Sequence, residues 1–277
     1  MDALTREERL CNLLAFEEAE LPRQTEWLLY RRNRVRLGSI LLGIAGLERV
    51  RAVHAYFVNH EINALKQHCY LATKLSLESI GQDGGANLEV ATDFLYALLS
   101  DNRDAIYALA QVEVPALIKE RNNPLNSRSY VYMLQLAIRG EDENLREMIA
   151  KVAKNGRKPV RIESQEGRDF FSLLLKRDQV GLEECIGKHA SIRSPEPRIE
   201  NFMSFQGALE AKLCWFRGIP VKIDSPWVQM ELMPMRPLER YDDVYDFLKP
   251  GWVPPPQGVI ADLSRRLTKA FGKKSNN

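Results

Sequence analysis

The stretch FQGALEAKLCWFRGIPVKIDSPWVQMELMPMRPLERYDDVYDFL, residues 205–248, decides how the rest of the chain is read. Its first part places Phe205, Leu209, Leu213 and Phe216 on one side at helical spacing, with Ala208, Ala211 and Trp215 beside them. Gly218 predicts a helix C-cap, because glycine accepts the left-handed backbone that ends a helix. IPVKID, 219–224, alternates apolar and polar residues as a short extended segment does. Pro220, Pro226, Pro234 and Pro237 then remove backbone donors and fix φ, which disfavours a long helix or a central strand. The segment predicts an irregular cap that wraps a helical body and seals it with Trp227, Met230, Leu232, Met233, Met235 and Leu238. Packing, rather than a ligand pocket, is the expected role of such an apolar cluster.

Upstream, everything reads as helix. Thr5 and Glu8 form a capping-box pattern that opens a helix carrying Leu10, Leu13 and Leu14 inward. Pro22 marks where a next helix would begin. From Glu26 to about Ile80 the pattern stays helical, in two or three pieces, with Asn59 a candidate N-cap and QDGG, 82–85, a break. LGSILLGIAGL, 37–47, reads as a buried helix in which Gly38, Gly43 and Gly46 let another helix approach. At eleven residues it is too short for a membrane span, which needs about twenty.

Three segments then share one design: FLYALLSDNRDAIYALAQ (94–111), YMLQLAIRGEDENLREMIAK (132–151) and FFSLLLKRDQVGLEECIGK (170–188). Each is an apolar helix, a tight polar turn and a second amphipathic helix. Ser100, Arg139 and Lys176 hold comparable places, 39 and 37 residues apart, within the range of helical-hairpin repeats. Residues 112–127, 155–167 and 191–201 read as loops. The expected fold is all-α: N-terminal helices over 1–85, hairpin repeats of the TPR/HEAT kind over 86–218, and a wrapping cap over 219–250, together one domain. Gly218 ends the first helix of a degenerate further unit. GWVPPPQG, 251–258, predicts a stiff linker, and 259–277 a basic amphipathic tail for docking on the body, a partner or an anionic surface.

Composition narrows the function classes. The chain has 277 residues, 45% of them hydrophobic, and a formal charge of +2. Residues 1–26 hold seven acids against three arginines, 31–51 hold six arginines against Glu48, and the tail adds five basic side chains. A nucleic-acid binder would show a stronger basic excess, so no nucleic-acid partner is expected. YRRNRVRL, 30–37, is expected to pair with the glutamate-rich first helix. The four separated cysteines, Cys11, Cys69, Cys185 and Cys214, read as buried small hydrophobes in a reducing compartment. MDALTREERL lacks the features of a secretion signal, so a cytoplasmic location is expected, without stable membrane insertion.

No catalytic constellation stands out. DDVYD, 242–246, matches the aspartate-rich motif of helical prenyl diphosphate and terpene synthases, whose chemistry needs a magnesium-binding helix face and a second carboxylate cluster. Pro237 and Pro250 bracket it too closely for that long helix, and acids at the start of a short helix are the simpler reading. GLEECIGKH, 181–189, departs from a phosphate loop in spacing and ends on His189 where a hydroxyl is required. His54, His60 and His68 lack the i, i+4 spacing of a helical metal pair. No metal, cofactor or catalytic residue is assigned. A serine or cysteine hydrolase assembled from distant residues remains open.

FLYALLSDN (94–102), AKLCWFRG (211–218) and VKIDSPWVQMELMPMRPLERYDDVYDFL (221–248) together resemble the immunity protein 49 family of bacterial polymorphic-toxin systems. The resemblance covers roughly residues 25–248. It implies an all-helical, non-enzymatic inhibitor that binds a cognate toxin domain encoded by a neighbouring gene and occludes it; it supplies no catalytic residues. Asp224, Pro226, Trp227, Pro237 and Tyr241 are then residues that either hold the cap or touch the toxin. The partner surface is expected near the cap, at Asp224, Trp227, Tyr241, Asp242 and Asp243, with the last two exposed. A helical-repeat adaptor or scaffold with another partner, and a metal-dependent helical enzyme using DDVYD, are the alternatives.

Overall fold

The computed structural model describes residues 4–190, 196, 198–199 and 201–258. The expected tail helix at 259–277 and most of the 191–201 connection lie outside the described residues. Twelve α-helices and no strand occur among those described: α1 (Arg6–Tyr30), α2 (Leu37–Phe57), α3 (Ile62–Ser79), α4 (Thr92–Leu99), α5 (Arg103–Ala110), α6 (Pro115–Glu120), α7 (Ser127–Arg139), α8 (Asp142–Asn155), α9 (Lys158–Gln165), α10 (Phe170–Lys176), α11 (Gln179–Ala190) and α12 (Phe205–Phe216). Short 3-10 turns occupy Arg32–Arg34, Met230–Leu232 and Asp246–Leu248. The fold is all-α, with helical hairpins closed by a largely irregular, proline-rich cap.

Helix α1 opens on the expected capping box: the Thr5 hydroxyl accepts from the Glu8 N–H at 3.1 Å, and the Glu8 carboxylate accepts from the Thr5 N–H at 2.8 Å. Pro22 does not start a new helix but lies inside α1, on its exposed side. An internal proline costs about 3 kcal/mol. The helix nonetheless runs through, anchored by Leu10 in the main apolar cluster and Leu28 in a second one against α2 and α3. Asn59 is not an N-cap either: α3 begins after Glu61, across a turn in which His60 takes a positive φ of 59°. Gly38 admits a loop rather than a helix. A Cβ there would sit 2.3 Å from the Gly85 backbone nitrogen, in the predicted 82–85 break.

The three repeats are hairpins as read. Helices α4 and α5, α7 and α8, and α10 and α11 pair, and the corners fall at Asp101, Gly140 and Arg177, each with positive φ. Gly218, at φ 71°, repeats this corner after α12. The stretches read as loops are partly helical, because α6 and α9 each start on a proline in the first turn, where its missing N–H costs nothing. Corner arginines join the units. Arg177 Nη2 donates to the Gly218 carbonyl at 2.9 Å, and Arg217 Nη1 donates to the Ala137 carbonyl at 2.7 Å.

Helix α12 does not extend the array outward. It packs on both α11 and α4, so the last unit folds back against the first, and residues 207–214 are all buried. One apolar cluster accordingly runs from Leu10 to Met233. From Gly218 the cap crosses α12, the end of α4 and α3, then reaches the second cluster with Phe247 and Leu248. Ile219, Val221 and Ile223 are buried while Pro220, Lys222 and Asp224 are exposed, as the alternation predicted. Of the expected seal, Leu232 and Met233 are buried and Met230 and Met235 pack at the edge, but Trp227 is 40% exposed. The 251–258 segment lies on the body: Trp252 packs against the second cluster and Gln257 Nε2 donates to the Leu29 carbonyl at 2.8 Å.

Candidate binding groove

The cap is held by charges buried inside the protein. Asp101, fully buried, pairs with Lys66 Nζ at 2.9 Å and with Lys212 Nζ at 2.5 Å. Each lysine also donates to the cap backbone: Lys212 to the Leu232 and Pro234 carbonyls at 2.7 and 3.3 Å, and Lys66 to the Arg236 carbonyl at 2.6 Å. The Arg236 N–H returns a bond to Asp101 at 3.1 Å. Burial pulls the Lys212 ammonium below its ordinary pKa, against the opposing charge of Asp101. Glu48, also fully buried, accepts from the Tyr245 hydroxyl at 2.6 Å and pairs with His68 Nδ1 at 2.7 Å and Arg51 Nη1 at 2.8 Å. Burial pushes its carboxyl up, but these partners outweigh it and leave the pKa lowered. A buried ion pair is tolerated only where its remaining donors and acceptors are met in this way.

This seam sorts the residues expected at a partner surface. Tyr241 is structural: its hydroxyl donates to the Ser100 carbonyl at 2.6 Å and accepts from the Leu238 N–H at 3.1 Å. Asp243 is not exposed as expected, because Tyr70 and Lys74 each donate to its carboxylate at 3.0 Å. Asp224, Trp227 and Asp242 do face solvent. The acids of DDVYD do not form a helix face. Asp242 pairs with Arg240, Asp243 with Lys74 and Asp246 with Lys249, and only Asp246 enters a 3-10 turn. Among the described residues no group of three or more His, Cys, Asp or Glu side chains is placed to hold a metal ion. Cys69 and Cys214 are buried as expected, but Cys11 is exposed, with Sγ 3.6 Å from His54 Nε2.

A cavity of about 310 Å³ opens elsewhere, between α7, α9, α10, α11 and α12. Tyr130, Phe170 and Phe171 form aromatic walls, with Tyr130 and Phe170 each packed edge-on to Phe171. Its polar side is built on α12, where Gln206 and Glu210 lie one turn apart. Glu210 is fully buried, accepts from Gln206 Nε2 at 3.0 Å, and pairs with His189 Nδ1 at 2.6 Å. His189 sits in the last turn of α11, where helix carbonyls favour positive charge. The Glu210 hydrogen bond raises its pKa, with burial opposing. Burial, followed by the Glu210 charge, pushes the Tyr130 hydroxyl well up.

The rim of this cavity mixes exposed aliphatic and polar residues, with Ser127, Arg157 and Glu163 beside Leu125 and Val160. Leu125 is 54% exposed and Val160 47%. A second concavity, of about 510 Å³, adjoins it through Ser127, Tyr130 and Gln206, and carries Val90, 59% exposed. The cap approaches here too, since the Ser204 N–H that opens α12 donates to the Trp227 carbonyl at 2.8 Å. Among the described residues no hydroxyl or thiol lies within hydrogen-bond distance of the His189 ring. The nearby Cys185 thiol is pushed up to about 12, chiefly by burial, and stays neutral. The geometry suits holding a ligand or a partner side chain in a preformed concavity.

Sequence reading did not find this groove. One signal was present: apart from Gln206, Glu210 and Lys212 are the polar residues of a helix that is otherwise apolar all round, and such a helix buries whatever charge it carries. Comparison with family models, with curated proteins and with solved structures finds no match to this chain.

Proposed function

We propose that this protein is a cytoplasmic immunity protein that neutralises a cognate bacterial toxin domain by tight, non-covalent occlusion. The observation that carries the reading is the pair of adjoining concavities rimmed by Leu125, Val160 and Val90 on a body whose cap is fixed by buried charges. Large apolar side chains left in solvent around a concave floor mark interaction surfaces, and a preorganised surface loses little entropy on binding. The resemblance of residues 25–248 to the immunity protein 49 family supplies the class of partner. No helix among the described residues is long and apolar enough to cross a membrane, which suits a partner met in an aqueous compartment.

The binding surface in this reading is the groove at the start of α12, with exposed Trp227 and Asp224 as its cap-side edge. Asp242 lies in the cap against α3, its backbone hydrogen-bonded to the Gln67 side chain, and is outside the groove. Co-expression with the neighbouring reading frame tests the proposal. The neighbour alone should arrest growth, and this protein should restore growth and co-purify with it. A harmless or unbound neighbour would instead favour a helical adaptor for another partner.

A further inference from the structure

The cavity between α7, α9, α10, α11 and α12 has a chemical bias that the proposed toxin partnership does not require. Among the described residues its lining holds three carboxylates, Glu163, Asp169 and Glu210, against Arg157 and His189, so negative charge is in excess even when His189 is protonated. Asp169 accepts only from neutral donors, the Phe171 and Ser172 backbone N–H groups and the Ser172 hydroxyl, and forms no ion pair among the described residues. Glu163 is exposed and forms no ion pair among the described residues. Arg157 is exposed and extends Nη2 to the Leu125 carbonyl at 3.4 Å.

Two further polar groups face the same space unused. Ser129 and Ser164 are 4% and 8% exposed and line the cavity, and neither hydroxyl makes a hydrogen bond to a described residue. Neither oxygen is sealed away from solvent, so both hydroxyls are open to a molecule in the cavity as donor or acceptor. Carboxylates and hydroxyls beside the Tyr130 and Phe171 rings are what an ammonium or amidinium group binds, with its N–H donors satisfied and its charge near aromatic rings. Val160, Val152 and Met133 provide apolar lining for the remainder of such a molecule.

We infer that this cavity is a binding site for a small organic cation, an amine or amidine carried on an aromatic or branched apolar stem. The inference uses the same cavity as the toxin reading but does not rest on it, because the site is complete within this one chain. Titration of the full-length protein with phenethylamine, 2-phenylethanol and phenylacetate, followed by calorimetry and the His189 ring resonances, tests it. Phenethylamine should bind at least tenfold more tightly than the alcohol, phenylacetate should not bind, and the His189 signals should shift. Glu163→Gln, on an exposed side chain that no fold contact uses, should weaken the amine several-fold, leave the alcohol unchanged and leave Tm unchanged. Equal affinity for amine and alcohol, preference for phenylacetate, absence of binding by all three, or indifference to Glu163→Gln would each overturn the inference.

Discussion

The seam beneath the cap and the groove beside α12 are both built on the same helix, yet they use charge in opposite ways. At the seam Lys212 spends its donors on Asp101 and on the Leu232 and Pro234 carbonyls, so no hydrogen-bonding capacity is left over. At the groove, Ser129 on α7 and Glu163 and Ser164 on α9 keep theirs. Committed polar groups hold a structure together, and uncommitted ones in a concavity are available to something else. The contrast separates what this molecule needs to fold from what it has left to bind with.

The seam should break first. Asp101→Asn keeps the side-chain shape and tolerates the left-handed corner, but leaves two buried ammonium groups without a counter-charge. Its expected cost is about 3–5 kcal/mol in urea denaturation. A loss below about 1 kcal/mol would mean that the triad does not hold the cap. Glu48→Gln comes next, at about 2 kcal/mol near neutral pH. Because the folded pKa of Glu48 is lowered, its contribution is present above the ordinary value of 4.5 and is lost as pH falls through the folded value. The variant should therefore show a flatter acid limb in stability against pH.

The groove should respond less in stability and more in binding. His189 has a raised pKa, so its pairing with Glu210 contributes fully below the ordinary value of 6.5 and fades as pH rises through the folded one. Thermal scans should find His189→Gln about 1 kcal/mol less stable at pH 5.5, with the gap closing at high pH. Leu125→Ser and Val160→Ser should change stability by no more than about 0.5 kcal/mol, since both side chains are already half in solvent. The same changes should weaken a partner by tenfold or more, as read by calorimetry.

Much of the fold was legible because helix caps and corners have local causes. The Thr5 and Glu8 box, the hairpin corners and the alternation of 219–224 each follow from a few adjacent residues. Pro22 misled because the restraint that overrides it is tertiary, with Leu10 and Leu28 anchored in two separate clusters. The three stretches that carry the family resemblance meet at the seam: Asp101 from the first, Lys212 from the second, and the carbonyls of Leu232, Pro234 and Arg236 from the third. Residues that catch the eye in sequence are here largely the ones that lock the cap. That is why Tyr241 and Asp243, expected at a partner surface, turn inward. The groove was illegible because it gathers side chains from helices far apart in sequence, α7, α9, α10, α11 and α12, whose lining residues form no joint local pattern.

The most direct test asks whether the groove can be spoiled while the seam is left alone. Leu125→Asp with Val160→Asp, compared with the control Asp242→Asn, would be co-expressed with the product of the neighbouring reading frame, the proposed partner, with thermal denaturation run in parallel. The account predicts that the groove variant melts within a few degrees of the unaltered protein yet neither rescues growth nor co-purifies, while Asp242→Asn does both. Full rescue by the groove variant, or failure of Asp242→Asn alone, would contradict it.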